Sequence, residues 1–131
     1  MPHVPGPRRL HRLPHQAPAG ERQARQRRHR ARRLAAAARK HHVWVCSGLV
    51  ERNGTNVFNT AVLLDRSGVL RLKHRKLNEV PGALSLYDQG DRLKVAPTEF
   101  GTIGLMICAD AFARDRVLSR SLGYLGADII L

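Results

Sequence analysis

The residue best suited to covalent chemistry is Cys108, which ends an apolar run and is followed by Ala109-Asp110. The run itself, Ile103–Ile107, predicts a strand buried on both faces of a sheet. A helical pattern of leucines follows, so the thiol would lie on a tight strand-to-helix turn, where the helix dipole favours a thiolate nucleophile. The alternative interpretation is a small buried hydrophobic residue, which is the commoner role of a lone cysteine.

A second candidate, Lys76, lies at the end of a predicted strand that starts near Val69. Side chains alternate along an extended chain, so Leu70, Leu72, His74 and Lys76 share one face, and the leucines mark that face as interior. A lysine on the interior face needs a carboxylate partner, because an unpaired charge is costly to bury. The alternative is a solvated basic strand end.

Helix and strand signals surround both residues and must position them. The helical leucines after Cys108 are spaced to face a sheet. The other predicted elements are a helix ending over Arg32–Lys40, strands over Val43–Leu49 and Val57–Leu64 joined at Asn53-Gly54, a turn at Asp65–Gly68, the leucine-bearing helix with Leu118, Leu122 and Leu125, and a strand opening at Asp128. This order predicts a mixed sheet with helices packed on it.

The formal net charge of +13 is concentrated at one end of the chain. Residues 1–40 carry a net charge of +11, whereas residues 41–131 carry +2. Five prolines and few apolar residues predict that residues 1–30 form no folded element. We therefore divide the chain into a basic segment, 1–33, which is disordered or non-native, and a domain, 34–131. A nucleic-acid-binding arm is ranked below these interpretations, because no aromatic residues are interleaved for base stacking.

Cysteine spacing and hydropathy narrow the functional classes further. Cys46 and Cys108 form neither a CxxC motif nor a Cys/His cluster, so we expect no metal and no disulfide framework. Two cysteines in a chain of this size favour a reducing, cytoplasmic location. No apolar run approaches the roughly 20 residues of a membrane span, and the N-terminus lacks the apolar middle of a signal peptide.

Five segments follow one another along the chain: Asn59-Thr-Ala-Val-Leu-Leu-Asp-Arg-Ser-Gly68, His74-Arg-Lys-Leu77, Tyr87-Asp-Gln-Gly-Asp91, Gly101-Thr-Ile-Gly-Leu-Met-Ile-Cys-Ala-Asp110 and Gly126-Ala-Asp-Ile-Ile-Leu131. Taken in this order, they resemble the carbon–nitrogen hydrolase family, or nitrilase superfamily, over roughly residues 34–131. The resemblance implies an α/β (α+β) fold, a nitrilase-like α-β-β-α sandwich that is incomplete in this chain. It implies hydrolysis of small amides, carbamoyl compounds or nitriles without cofactor or metal, by a protein that forms homo-oligomers.

The resemblance also implies roles for individual residues. Cys108 matches the nucleophile, Lys76 matches the lysine that stabilises the oxyanion, and the backbone N–H of Ala109 would be a second oxyanion donor. The family's general-base glutamate has no counterpart here, since Glu21 follows no apolar strand, and the base is unknown. Glu79 is a possible second carboxylate. Without the base, Lys76 would lack its counter-charge and activity would be impaired.

Ala109-Asp110 favours an amidase over a nitrilase, because nitrilases tend to carry an aromatic residue and then glutamate after the cysteine. Two alternatives of other classes remain: a non-catalytic nucleic-acid-binding protein that uses the Arg-rich arm, and a catalytically dead interaction subunit.

Overall fold

The computed structural model describes the backbone of residues 19–131 and the side chains from residue 29 onward. Two helices and six strands span this part of the chain: α1 Ala19–His41, β1 Val45–Asn53, β2 Asn56–Leu64, β3 Leu70–Arg75, β4 Val95–Thr98, β5 Gly101–Gly104, α2 Val117–Tyr124 and β6 Ile129–Ile130. The prediction that residues 1–18 form no folded element lies outside the described residues. For residues 19–30 that prediction is wrong, because α1 begins at Ala19 and runs unbroken past the proposed boundary at residue 33.

The first sheet is an antiparallel meander in the order β1-β2-β3. Asn53 pairs with Asn56 around Gly54, whose φ of +62° suits a tight hairpin, as the Asn-Gly signal predicted. The second turn closes with a 2.8 Å hydrogen bond from the Gly68 amide to the Asp65 carbonyl. A Cβ on Gly68 would lie 2.4 Å from the carbonyl oxygen of Ala35, so only glycine allows α1 to pack this closely on the turn.

The second sheet has the order β4-β5-β6, with β4 antiparallel and β6 parallel to β5. The parallel ladder continues beyond β5, where the Met106 amide donates to the Leu131 carbonyl at 2.8 Å. The single mixed sheet expected from the residue pattern is therefore wrong. The strands form two separate sheets, as the family resemblance implied, and β4 is an additional strand that the pattern did not predict.

One apolar cluster joins the two sheets face to face. Its buried members come from β2, β3, β4 and β5 and from the residue after β5: Ala61, Leu63, Leu72, Ala96, Ile103 and Leu105. On the outer sides, α1 packs against β1, and Leu122 of α2 lies against Gly104 of β5, where a Cβ would approach the leucine to 3.0 Å. The layers are therefore helix, sheet, sheet and helix, which confirms the α-β-β-α architecture.

The chain after Cys108 does not enter α2 directly, contrary to the sequence prediction. A 3₁₀ turn spans Cys108–Phe112, and Asp115 and Arg116 adopt left-handed φ values of +55° and +52° before α2 begins at Val117. The α2 dipole therefore does not act on the Cys108 thiol, because this effect is confined to a helix's first turn.

The three leucines of this region are buried to different extents. Leu122 is fully buried and Leu118 is half-buried, but Leu125 is 50% exposed and follows the last residue of α2. The prediction that all three leucines face the sheet is confirmed for Leu122 and wrong for Leu125. The difference provides a matched pair of positions for a test of the core.

We predict that Leu122→Asp lowers the free energy of unfolding by about 3 kcal/mol or more, because it buries an unpaired carboxylate. The matched control, Leu125→Asp, places the same charge at a half-exposed site and should change stability by less than about 1 kcal/mol. Urea unfolding followed by circular dichroism measures both. Equal stability of the two variants would show that α2 does not pack on β5 as described.

A charged network ties the three strands of the first sheet together around Glu51. Its carboxylate accepts hydrogen bonds from Arg75 at 2.8 and 3.0 Å, from Lys73 at 2.8 Å and from Thr60 at 3.0 Å. The Arg75 guanidinium is the main cause that lowers the pKa of Glu51 to about 2, against the opposing effect of partial burial. Arg75 also stacks over the Phe58 ring at 3.9 Å from its centroid.

The lowered pKa predicts acid sensitivity. Ionised Glu51 stabilises the folded chain above its ordinary pKa of 4.5, and this contribution is lost as the pH falls towards 2. Glu51→Gln should therefore make the decline of stability over that pH range shallower, measured as urea midpoints at successive pH values. Asp115→Asn removes a carboxylate that is 79% exposed and should leave the decline unchanged. A Glu51→Gln profile parallel to that of the parent would contradict the role of this network.

Candidate active site

Cys108 lies at the point where the chain leaves the second sheet. It is exposed and adopts a left-handed conformation with φ of +47°, which is strained for a residue that carries a Cβ. The sequence prediction of a tight turn at this thiol is confirmed, although the turn is 3₁₀ and not the start of an α-helix. The turn leaves the thiol accessible, whereas the preceding Leu105 is fully buried.

Lys76 directly follows β3 and is 4% exposed. Leu72 and His74 are also buried, so the interior face predicted from strand alternation is confirmed for these three residues. The prediction is wrong for Leu70, which is 51% exposed at the start of β3, beside an irregularity in the pairing of β2 with β3. The Lys76 ammonium lies 2.9 Å from Oε2 of Glu79, whose side chain is fully buried. The expectation that Lys76 would lack a counter-charge is therefore wrong.

One carboxylate oxygen of Glu79, Oε2, accepts a hydrogen bond from the Lys76 ammonium. Its other oxygen, Oε1, is buried and has no hydrogen-bond partner among the described residues. Such an atom loses its hydration without replacement, which is costly unless another donor completes it. Glu79 is therefore both the partner of Lys76 and a free acceptor in the interior.

The backbone on either side of Lys76 is fixed by two neighbouring segments. The Lys76 amide donates to the Asn59 carbonyl at 2.9 Å, and the Gly90 amide donates to the Lys76 carbonyl at 2.8 Å. A Cβ on Gly90 would lie 2.2 Å from the carbonyl oxygen of Arg75, so this approach requires glycine.

Asp110 links the Lys76 strand to the Cys108 turn. Its fully buried carboxylate accepts hydrogen bonds from His74, from the amides of Leu77 and Asn78, and from the amide of Ile107, over 2.8–3.0 Å. Burial alone would raise the pKa of Asp110, but these hydrogen bonds outweigh it, and the pKa lies below its usual value.

Sequence reasoning did not assign roles to Asp110, His74 or Asn78. A signal existed for His74, because it shares the interior face of β3 with Lys76 and a buried polar side chain needs a partner. Asn78 also donates through its side chain to the Ala109 carbonyl at 2.7 Å. The structure thus brings the loop after Lys76 into hydrogen-bond contact with Ala109 and Asp110, the two residues after Cys108.

The general base remains unassigned. The buried carboxylates among the described side chains are Glu79 and Asp110, and both already hold cations or donors. The Glu21 side chain lies outside the described residues. Within the described part of the chain, no group of three or more His, Cys, Asp or Glu side chains could hold a metal ion.

A separate cleft of about 470 Å³ lies at the other end of the sheets. It is lined by Trp44, Asp65, Arg66, Ser67, Arg71, Pro97, Thr98 and Glu99. These residues flank the starts of β3 and β5, whereas Lys76 and Cys108 follow the ends of the same strands. The cleft therefore lies away from the Cys108 thiol. Its surface is polar, and the Arg66 guanidinium is paired there with Glu99 at 3.0 Å.

The carbon–nitrogen hydrolase family model matches residues 14–131 of this chain. The chain belongs to the carbon–nitrogen hydrolase family. The match begins before residue 34, where the motifs first suggested the resemblance, and it includes all of α1. No helix in the described part of this hydrolase-family chain is both long and apolar enough to cross a membrane.

Curated relatives include both amidases and nitrilases. A formamidase from Pseudomonas syringae pv. tomato is 34% identical over 102 residues, which cover 75% of this chain and 29% of that protein. A bromoxynil-specific nitrilase from Klebsiella pneumoniae subsp. ozaenae is 30% identical over 80 residues, 60% of this chain and 23% of that protein. The chain thus spans less than a third of the length of either relative.

Solved structures show the same fold. An amidase from Nesterenkonia sp. AN1 superposes with a TM-score of 0.74 and 22% identity, covering 82% of this chain and 42% of that one. A carbon–nitrogen hydrolase from Helicobacter pylori G27 gives a TM-score of 0.72 at 24% identity, covering 79% of this chain and 36% of that one. The incomplete nitrilase-like sandwich is therefore confirmed as the fold of this chain.

The close approach at Gly90 generates a test of how Lys76 is held. Gly90→Ala should lower the free energy of unfolding by more than about 1 kcal/mol, because the new methyl group collides with the Arg75 carbonyl. Gly82→Ala is the matched control, since a Cβ there meets nothing within 4 Å. Thermal unfolding of both variants gives the comparison. A Gly90→Ala melting temperature equal to that of the Gly82→Ala variant would contradict this packing.

Proposed function

We propose that this chain carries the nucleophile and the oxyanion-stabilising lysine of an amidase-type carbon–nitrogen hydrolase. The observation that carries the proposal is the exposed, left-handed Cys108 on a turn whose next two residues are hydrogen-bonded to the loop after Lys76. The fold supports the proposal, because members of this family with the same sandwich include enzymes that act on carbon–nitrogen bonds.

The reaction begins when the Cys108 thiolate attacks the carbonyl carbon of a small primary amide. The new S–C bond converts the carbonyl oxygen to an oxyanion, which the Lys76 ammonium and the Ala109 N–H stabilise. The C–N bond then breaks, ammonia leaves with the proton that came from the thiol, and a thioester remains. Water hydrolyses the thioester to a carboxylic acid and regenerates the thiol.

Two relatives favour amides as the substrate class. The Pseudomonas syringae relative is a formamidase. A variant of the Nesterenkonia amidase shows covalent addition of the acetamide moiety of fluoroacetamide at its active-site cysteine, and another variant was solved with butyramide. The Ala109-Asp110 sequence after the thiol agrees with the amidase assignment, while carbamoyl compounds and nitriles are the alternative substrates within the family. A cytoplasmic location and a homo-oligomeric state belong to the same proposal.

The acid–base step limits the rate that we expect of this site. A positioned general acid–base group contributes about 10²–10⁴-fold in rate. Asp110 already accepts four hydrogen bonds, and Glu79 offers only the buried Oε1. We therefore propose that the 131-residue chain reacts at Cys108 but turns over amides slowly.

Ammonia release from simple amides such as formamide, acetamide and butyramide tests this proposal. The purified chain should exceed a Cys108→Ala control only slightly, while iodoacetamide should label Cys108 stoichiometrically at neutral pH in a Cys46→Ser background. The background mutation is needed because Cys46 is also exposed. Turnover at ordinary enzymatic rates would overturn the proposed impairment and point to Glu79 or Glu21 as the base. Failure of Cys108 to label would overturn its role as the nucleophile.

A further inference from the structure

Asp110 collects four hydrogen-bond donors on a single buried carboxylate. Oδ1 accepts from the amides of Leu77 at 3.0 Å and Asn78 at 2.8 Å. Oδ2 accepts from Nε2 of His74 at 2.8 Å and from the amide of Ile107 at 3.0 Å. Each oxygen thus serves two donors, and the donors belong to the β3 strand, the loop after it and the residue before Cys108.

Only a carboxylate satisfies this arrangement. An asparagine has one acceptor oxygen and one NH₂ group, so its NH₂ would face two of the donors. His74 could present its other tautomer to that NH₂, but a backbone amide cannot change from donor to acceptor. The charge of Asp110 is therefore required by the donor set around it.

Asn78 adds a second link to the same turn. Its backbone amide donates to Asp110, and its side-chain Nδ2 donates to the Ala109 carbonyl at 2.7 Å. Cys108 consequently lies between two anchored neighbours, since the Ile107 amide is bonded to Asp110 and the Ala109 carbonyl to Asn78. A left-handed conformation at a non-glycine residue is strained and persists only when its surroundings hold it.

We propose that Asp110, His74 and Asn78 form a positioning clamp, which holds the strained Cys108 turn and sets the Ala109 N–H and Lys76 against one oxyanion. The inference rests on the proposed function, because it takes the roles of Cys108, Lys76 and Ala109 from there. It adds that the two halves of the oxyanion site, which come from different sheets, are aligned by the three clamp residues, none of which attacks the substrate. Asn78 is the member whose side chain bonds the backbone of the turn, at the Ala109 carbonyl directly beside Cys108.

Two reactions of the same thiol separate positioning from stability. Acylation of Cys108 by p-nitrophenyl acetate passes through an oxyanion and has a leaving group that needs no proton, so it does not depend on a general acid that protonates the leaving group. Alkylation by iodoacetamide displaces iodide at a saturated carbon and forms no oxyanion. The ratio of the two rate constants therefore reports how well oxyanion donors are placed, whereas general loosening of the turn would change both rates.

The experiment measures both rate constants in the Cys46→Ser chain, by p-nitrophenolate release and by mass spectrometry. We expect Asn78→Ala to lower the acylation-to-alkylation ratio at least about tenfold, because a misplacement of 1 Å can cost roughly 10²-fold in rate. Asp110→Asn should lower it further if that variant folds. Gln89→Ala is the matched control. The Gln89 side-chain amide donates to the Leu77 carbonyl at 3.0 Å, in the loop after Lys76, but makes no hydrogen bond to the Cys108 turn, so this variant should leave the ratio unchanged.

Lys76→Met distinguishes failure of this inference from failure of the proposed function. If the parent ratio equals that of the urea-unfolded chain and Lys76→Met does not change it, the proposed oxyanion site is absent and both ideas fail. If Lys76→Met lowers the ratio but Asn78→Ala does not, the proposed function stands and the clamp is overturned. Circular dichroism of each variant verifies that it is folded, and Asn78→Ala keeps the inference testable if Asp110→Asn does not fold.

Discussion

The candidate site depends on one electrostatic constraint, the need of the buried Asp110 carboxylate for donors from two sheets. A carboxylate removed from water must replace its hydration with protein hydrogen bonds, and Asp110 finds them on β3, on the loop that follows and beside Cys108. The ends of β3 and β5 are thereby held side by side. The apolar cluster packs the sheets together, but apolar contact is non-directional and cannot by itself fix two loops in register.

A second buried charge pair, Lys76 and Glu79, lies in the same region. Removal of one member of such a pair typically destabilises a protein by about 3–5 kcal/mol, because the other charge is left without compensation. The sequence showed that Lys76 required a carboxylate, since it lies on the interior face of β3. It did not show that a carboxylate three residues ahead could fold back onto the ammonium, because that depends on the loop conformation. The Glu79 carboxylate thus supplies the buried partner that the position of Lys76 on the interior face calls for.

Local signals in the sequence predicted the first sheet well. The Asn53-Gly54 turn and the strand alternation that buries Leu72, His74 and Lys76 depend on neighbouring residues alone. The second sheet was harder, because β4 is four residues long and contains Pro97, which weakens the strand pattern. The start of α2 was misplaced because two left-handed residues interrupt a leucine pattern that is otherwise helical. The clamp joins residues 32–36 positions apart, and no local pattern reveals such a contact.

The separation of the clamp residues also has a consequence for how the chain folds. The first sheet is a meander whose strands follow one another directly, so its contacts close short loops. Each Asp110 contact to the β3 region closes a loop of more than thirty residues, and β5 meets β6 only after α2 has been placed between them. Contacts between distant residues carry a greater loop-closure entropy and form more slowly. We therefore expect the meander to form early, while the strained cysteine turn reaches its final geometry among the last events of folding.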